Sequence, residues 1–243
     1  SMGAVRVEKM GAGLKRVGVV LVISLLGVGC GKGVLPEFDG LACGISDQYR
    51  SYMNPMDSTV VQTVSIDSAF NSDEVTKIES AVATWNSWGR QVTGHDLFRT
   101  QVLGVSASSV PEASDNCNFP GAQGAFSIVR MTNTQTWSAL GFDGTNPGVT
   151  IRCSGGIDFA QKQVVLLNTV NMASMPQVFE SVILHELGHA IGLDHSCDAK
   201  DSGTPGFVGC KSPSLDPSYA EAVMNPWVNP NNLKEDLRRN DEE

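Results

Sequence analysis

The segment His185-Glu186-Leu187-Gly188-His189-Ala190-Ile191-Gly192-Leu193-Asp194-His195 constrains this chain more than any other stretch of it. Apolar residues at Val178, Val182, Ile183, Leu187, Ala190 and Ile191 recur at helical spacing. They predict a helix that starts near Ser174-Met175-Pro176 and stops at Gly192. On that helix His185 and His189 lie four residues apart, so their imidazoles share one face and can reach one ion at about 2.1 Å each. Glu186 sits one residue further round, placed to reach a water beside the ion without ligating it. Gly192 permits a backbone turn that other residues resist, and the turn lets His195 close a third coordination position. Three protein ligands with one open position is the arrangement of catalytic zinc, whereas structural zinc is usually closed by four. The whole chain has only four histidines. Three of them fall here, which sets the segment apart from a chance pair of solvent-facing helix histidines.

The rest of the chain reads as one domain of mixed strands and helices, α+β in class, over residues 58–243. Its 243 residues are enough to bury a real core. Alternation at Val60, Val61, Val64 and Ile66 predicts a strand. A helix follows with Ser72 as its N-cap and with Val75, Ile78, Val82 and Trp85 on one face. Trp85 and Trp88 are expected to be core aromatics on that helix. Further strands are expected at Phe98 to Val105, Phe126 to Met131, Gly148 to Cys153 and Gln163 to Asn168. An irregular region from Asp194 to Asn232 and a polar helical tail from Leu233 complete the expectation. The net charge of −9 argues against general nucleic-acid binding, which needs basic surface.

Residues 1–29 have the pattern of an export signal: Lys9, Lys15 and Arg16, then an apolar run from Val17 to Val28 that is short for a bilayer span of about 20 residues. The Leu-Leu-Gly-Val-Gly-Cys ending resembles a bacterial lipoprotein signal, in which Cys30 would carry the lipid and provide the one membrane contact. A simple secretory signal is the alternative. Residues 30–57 read as a tether. Gly31 after the cysteine favours the outer membrane if the lipoprotein reading holds. Export makes disulfides permissible among Cys30, Cys43, Cys117, Cys153, Cys197 and Cys210. Cys197 and Cys210 flank a short Gly/Pro-rich loop and are the leading candidate bridge. Cys117 with Cys153 comes next, which leaves Cys43 odd.

The zinc segment, with Ser196 after its third histidine, resembles that of the metzincin metalloproteases and their matrixin branch in particular. The resemblance implies a zincin-type catalytic domain: a twisted mixed sheet, an active-site helix, and a C-terminal sub-domain with a methionine turn. Ala222-Val223-Met224-Asn225-Pro226 matches that turn, with Met224 as its methionine. Phe142-Asp143-Gly144-Thr145-Asn146-Pro147-Gly148 resembles the loop before the family's substrate-binding edge strand. Val149, Thr150 and Ile151 are thereby implied as the substrate edge. The implied activity is zinc-dependent hydrolysis of peptide bonds in a protein or peptide substrate, by a monomer, with Glu186 as general base. A non-catalytic zinc-binding envelope lipoprotein with a binding or adhesion role is the alternative.

Some positions depart from the family. Thr136 and Ser138 stand where it has ligands of a second zinc, and His95 is the one histidine outside the motif, so one zinc is expected. A calcium ion held partly by Asp143 or Asp158 is a weaker implication. Val228, beside Trp227, replaces the pocket tyrosine. Leu41-Ala42-Cys43-Gly44-Ile45-Ser46-Asp47 carries the Cys-Gly-x-x-Asp core of an inhibitory cysteine switch, with Ala42 in place of the arginine. A disulfide or an unpaired thiol is the alternative for Cys43.

Overall fold

Period-2 and period-3.6 patterning account for most of the elements in the computed structural model, which describes residues 56–104, 126–153, 162–199, 208–238 and 241. In chain order these are β1 (Gln62–Ile66), α1 (Ser72–Val92), β2 (Phe98–Val102), β3 (Phe126–Met131), α2 (Thr134–Ala139), β4 (Gly148–Cys153) and β5 (Lys162–Asn168). Then come α3 (Thr169–Met172), a 3-10 turn (Pro176–Val178), α4 (Phe179–Ile191) and α5 (Pro217–Glu221). The class is α+β with a mixed five-stranded sheet of order β2-β1-β3-β5-β4. Pairing is parallel from β2 through β5, while β4 lies antiparallel on β5 as an edge, with Thr150 opposite Val165.

Each strand divides its side chains between two cores. Val165 and Leu167 face the larger core with α1 and α4, whereas Val164 and Leu166 face the smaller one around Trp137. On β4, Val149 and Ile151 pack into the smaller core. Alternation therefore turns Thr150 and Arg152 toward α4, and this decides what the edge strand offers the helix.

Helix α1 begins one residue earlier than its sequence predicts. Asn71, not Ser72, is the N-cap: its side chain accepts from Glu74 N while Glu74 accepts from Asn71 N, both at 2.9 Å. Either residue type can cap, but only Asn71 has Glu three residues on to complete the box. The cap contributes about 1 kcal/mol. Buried Ile78, Val82 and Trp85 contribute about 1.5–3 kcal/mol each, so burial dominates. Trp88 packs edge-on against Trp85 at 5.9 Å.

Other bounds shift as well. Val60 and Val61 are exposed and precede β1. Strand β2 ends at Val102, and Val105 lies outside the described residues. The expected helical tail is absent over residues 233–238. There Lys234 N donates to Ser181 Oγ (2.8 Å), a tertiary contact, and Arg238 N to Asp241 Oδ2 (2.9 Å), a local side-chain one, so neither amide serves a helical ladder. Cys197 and Cys210 form a disulfide with Cα atoms 5.0 Å apart. A Cys117–Cys153 bridge, Cys30 and Cys43 fall outside the described residues. Among the described residues no helix is long and apolar enough to cross a membrane.

Asn86, buried on α1, ties that helix to β2. Its Oδ1 accepts from Leu97 N and Phe98 N and its Nδ2 donates to Phe98 O, all at 2.9 Å. Asn86→Ala strands three buried backbone groups and is expected to cost about 3 kcal/mol in urea unfolding. A loss below about 1 kcal/mol would contradict this role.

Candidate metal centre

Helix α4 carries two of the three histidines, and its C-terminus delivers the third. Gly192 has φ 108°, in the left-handed region that glycine adopts most readily. Its N–H donates to His189 O (3.1 Å) and Leu193 N donates to Gly188 O (3.0 Å). This closure ends the helix and turns the chain back, so His195 faces His185 and His189. The nitrogen ligand atoms of the three rings all lie within 4.8 Å of one another, and among the described residues this group can hold one metal ion.

The hydrogen bonds fix which nitrogen is offered. His185 Nδ1 lies 2.8 Å from Val223 O, and His189 Nδ1 lies 2.9 Å from Leu193 O. With Nδ1–H donating to each carbonyl, Nε2 keeps its lone pair and the ring cannot rotate freely. His189 Nε2 and His195 Nε2 are 3.2 Å apart. Two tetrahedral ligands at about 2.1 Å from one ion would be about 3.4 Å apart, so the spacing fits a shared ion. Burial, with repulsion from His195 added, pushes His185 down to about 3. Burial, followed by the charges of His185 and His195, holds His189 well below its usual value, and burial lowers His195 against the opposing charge of Asp194. All three rings are therefore neutral donors at neutral pH. The donor set fits a borderline divalent ion, and zinc in particular.

Glu186 is buried beside His185. Burial pushes its carboxyl up to about 7, against the opposing effects of the Thr150 hydrogen bond and the Arg152 charge. Thr150 Oγ1 lies 2.6 Å from Glu186 Oε2 and 2.9 Å from Glu186 O. Arg152 Nη1 donates to His189 O at 2.9 Å. Two side chains of the edge strand thus fasten β4 to the helix that bears the ligands. Gly148 allows the approach: a Cβ there would lie 2.8 Å from Glu186 Oε1 and 2.9 Å from Val182 Cγ1.

The opposite flank of α4 is equally close. A Cβ on Gly188 would come within 2.3 Å of Met224 Sδ and 3.1 Å of Trp85 Cζ2. Trp85 Nε1 donates to Leu184 O at 2.9 Å, one residue before the first ligand. Asp241 holds the Met224 segment from below, accepting from Val223 N (2.8 Å) and Met224 N (3.0 Å).

The histidines, Glu186, Val149, Thr150 and Trp227 line one cleft of about 510 Å³. Ile151 instead turns into the smaller core, away from the cleft. Asp143 uses Oδ1 to accept from Thr145 N and Thr145 Oγ1, both 2.8 Å, which stiffens the loop before β4. Asp158 and Cys43 lie outside the described residues. Thr150 as a partner of Glu186, Arg152, Asp241 and the cleft residue Lys234 had no signal in the linear sequence. Only the alternation along β4 could have paired Thr150 with Arg152 on one face. Compared with known proteins, the chain matches no family model and no curated protein.

Gly188→Ala is expected to displace Met224 and weaken zinc retention roughly tenfold, read by competition with a chromogenic chelator. Gly104→Ala is the control, because a Cβ there meets nothing within 4 Å. Equal zinc retention by both variants would show that the close packing at Gly188 does not support the site.

Proposed function

We propose that the chain is a zinc-dependent endopeptidase of metzincin type, matrixin-like, that hydrolyses peptide bonds. The observation that carries this reading is the buried Glu186 carboxylate, set beside three converging imidazoles and facing an edge strand across one cleft. A site that only binds metal has no use for a carboxylate held next to the ligands by Thr150. Zinc on His185, His189 and His195 would supply Lewis-acid polarisation of the scissile carbonyl and acidify the attacking water.

The chain's own groups do the rest. Glu186 takes the water's proton and passes it to the leaving amine, a service worth about 10²–10⁴-fold. A carboxyl near 7 suits both halves of that transfer. Thr150 holds the carboxylate toward the strand, which limits its rotamers. The outer edge of β4 around Val149 to Ile151 offers main-chain groups to an extended peptide, and Pro147 and Gly148 bring that edge close to Glu186. Met224 packs its thioether against Gly188, the residue before His189. The Cys197–Cys210 disulfide supports an oxidising, exported setting, in line with a signal segment at residues 1–29 and a lipid on Cys30.

The zinc-loaded full chain is expected to cleave quenched peptides and to lose that activity to a chelator. Glu186→Gln is expected to keep one equivalent of zinc by metal analysis while kcat/KM falls about 10²–10⁴-fold. Turnover in Glu186→Gln near that of the parent would sink the proposal. If the parent binds zinc but cleaves no peptide, the site serves binding alone. Thr150→Val is expected to lower kcat roughly tenfold with KM little changed, and Thr150→Ser to restore it. An equal defect in both variants would assign Thr150 to packing instead.

A further inference from the structure

The lining of the cleft includes a buried lysine that the hydrolytic reading does not use. Lys234 lines the cleft together with Ser181 and Val182, and only 8% of it is exposed. Its backbone N–H donates to Ser181 Oγ at 2.8 Å, so it sits beside the helical residue four before His185. Four residues along α4 is about 6 Å, the reach of one long side chain from the metal ligands. The ammonium donates to Ala220 O (3.2 Å) and to Ala222 O. These bonds leave a third N–H with no partner among the described residues. No salt bridge joins Lys234 to Asp241 or Glu221, the nearby carboxylates that favour its charge. The Asp241 oxygens are already taken by the N–H groups of Val223, Met224 and Arg238. Burial pushes Lys234 down to about 8, with Arg238 also opposing its charge, and it stays mostly protonated at neutral pH. A desolvated ammonium held only by carbonyls gains most from a carboxylate that arrives without water.

We infer that Lys234 selects substrates with an aspartate or glutamate side chain at one of the two positions flanking the scissile bond. This rests on the endopeptidase reading and names its substrate class. An apolar slot would have placed leucine or methionine where this chain has lysine.

The test uses the zinc-loaded full chain and pairs of quenched peptides that differ only in Glu or Gln at each flanking position. At one position kcat/KM is expected to favour Glu by about tenfold or more. Lys234→Met is expected to bring that ratio to about 1, and Lys234→Arg to retain a preference. A parent ratio near 1 at both positions overturns the inference and leaves the protease reading intact, and it needs no variant to fold. If no peptide is cleaved, the protease reading fails separately. Anisotropy of labelled peptides on Glu186→Gln then decides: tighter binding of the Glu peptide supports Lys234 as the reader, and equal or absent binding overturns it.

Discussion

The three-histidine group depends on how closely α4 can be approached from two sides. Helices with ordinary side chains pack with axes about 8–10 Å apart, which leaves room for side chains but not for another backbone. Gly148 removes that spacing on the strand side and lets β4 rest on the Glu186 side chain. On the other flank Gly188 does the same for the thioether of Met224. Trp85 then fixes the height of the helix by donating to Leu184 O. With both flanks seated and its middle pinned, the helix has little freedom left, and the turn at Gly192 serves two rings: it brings His195 round and sets Leu193 O against His189 Nδ1.

The electrostatics of the cleft run against those of the whole molecule. The chain carries a net charge of −9, yet Arg152 and Lys234 are both largely removed from water at the cleft. Cations in such a place act at short range in a low dielectric, whereas the surface acids are screened within about 8–10 Å. Arg152 is engaged with His189 O and held near Asp194 and Glu186. Lys234 leans on carbonyls. The two therefore differ in what they can offer an incoming group, although both are single positive charges.

Much of this was legible in the sequence, and the gaps have physical causes. Strands β3 and β4 could be bounded to the residue because apolar alternation ran between turn-rich stretches. The convergence of His185, His189 and His195 was legible because helical spacing alone brings two of them together. Helices α2, α3 and α5 are six, four and five residues long, too short to show periodicity. The tail misled for the opposite reason: Leu233 and Leu237 mimic a helical face, while their neighbours' amides bond to Ser181 and Asp241. The roles of Thr150 and Lys234 depend on which element lies opposite, and that is decided by tertiary packing across 36 and 53 residues of chain.

The edge position of β4 has a consequence for solubility. An open strand edge is a template on which a second copy of the chain can extend the sheet, the first step toward aggregation. This edge is six residues long and follows directly on Pro147, which has no N–H to contribute to such a ladder. Its inward-facing Arg152 is tethered to α4, so flattening the strand against a twin would pull a guanidinium off its carbonyl. A single extended peptide asks for no flattening. The features that fasten β4 to the helix thus also discourage sheet growth along it.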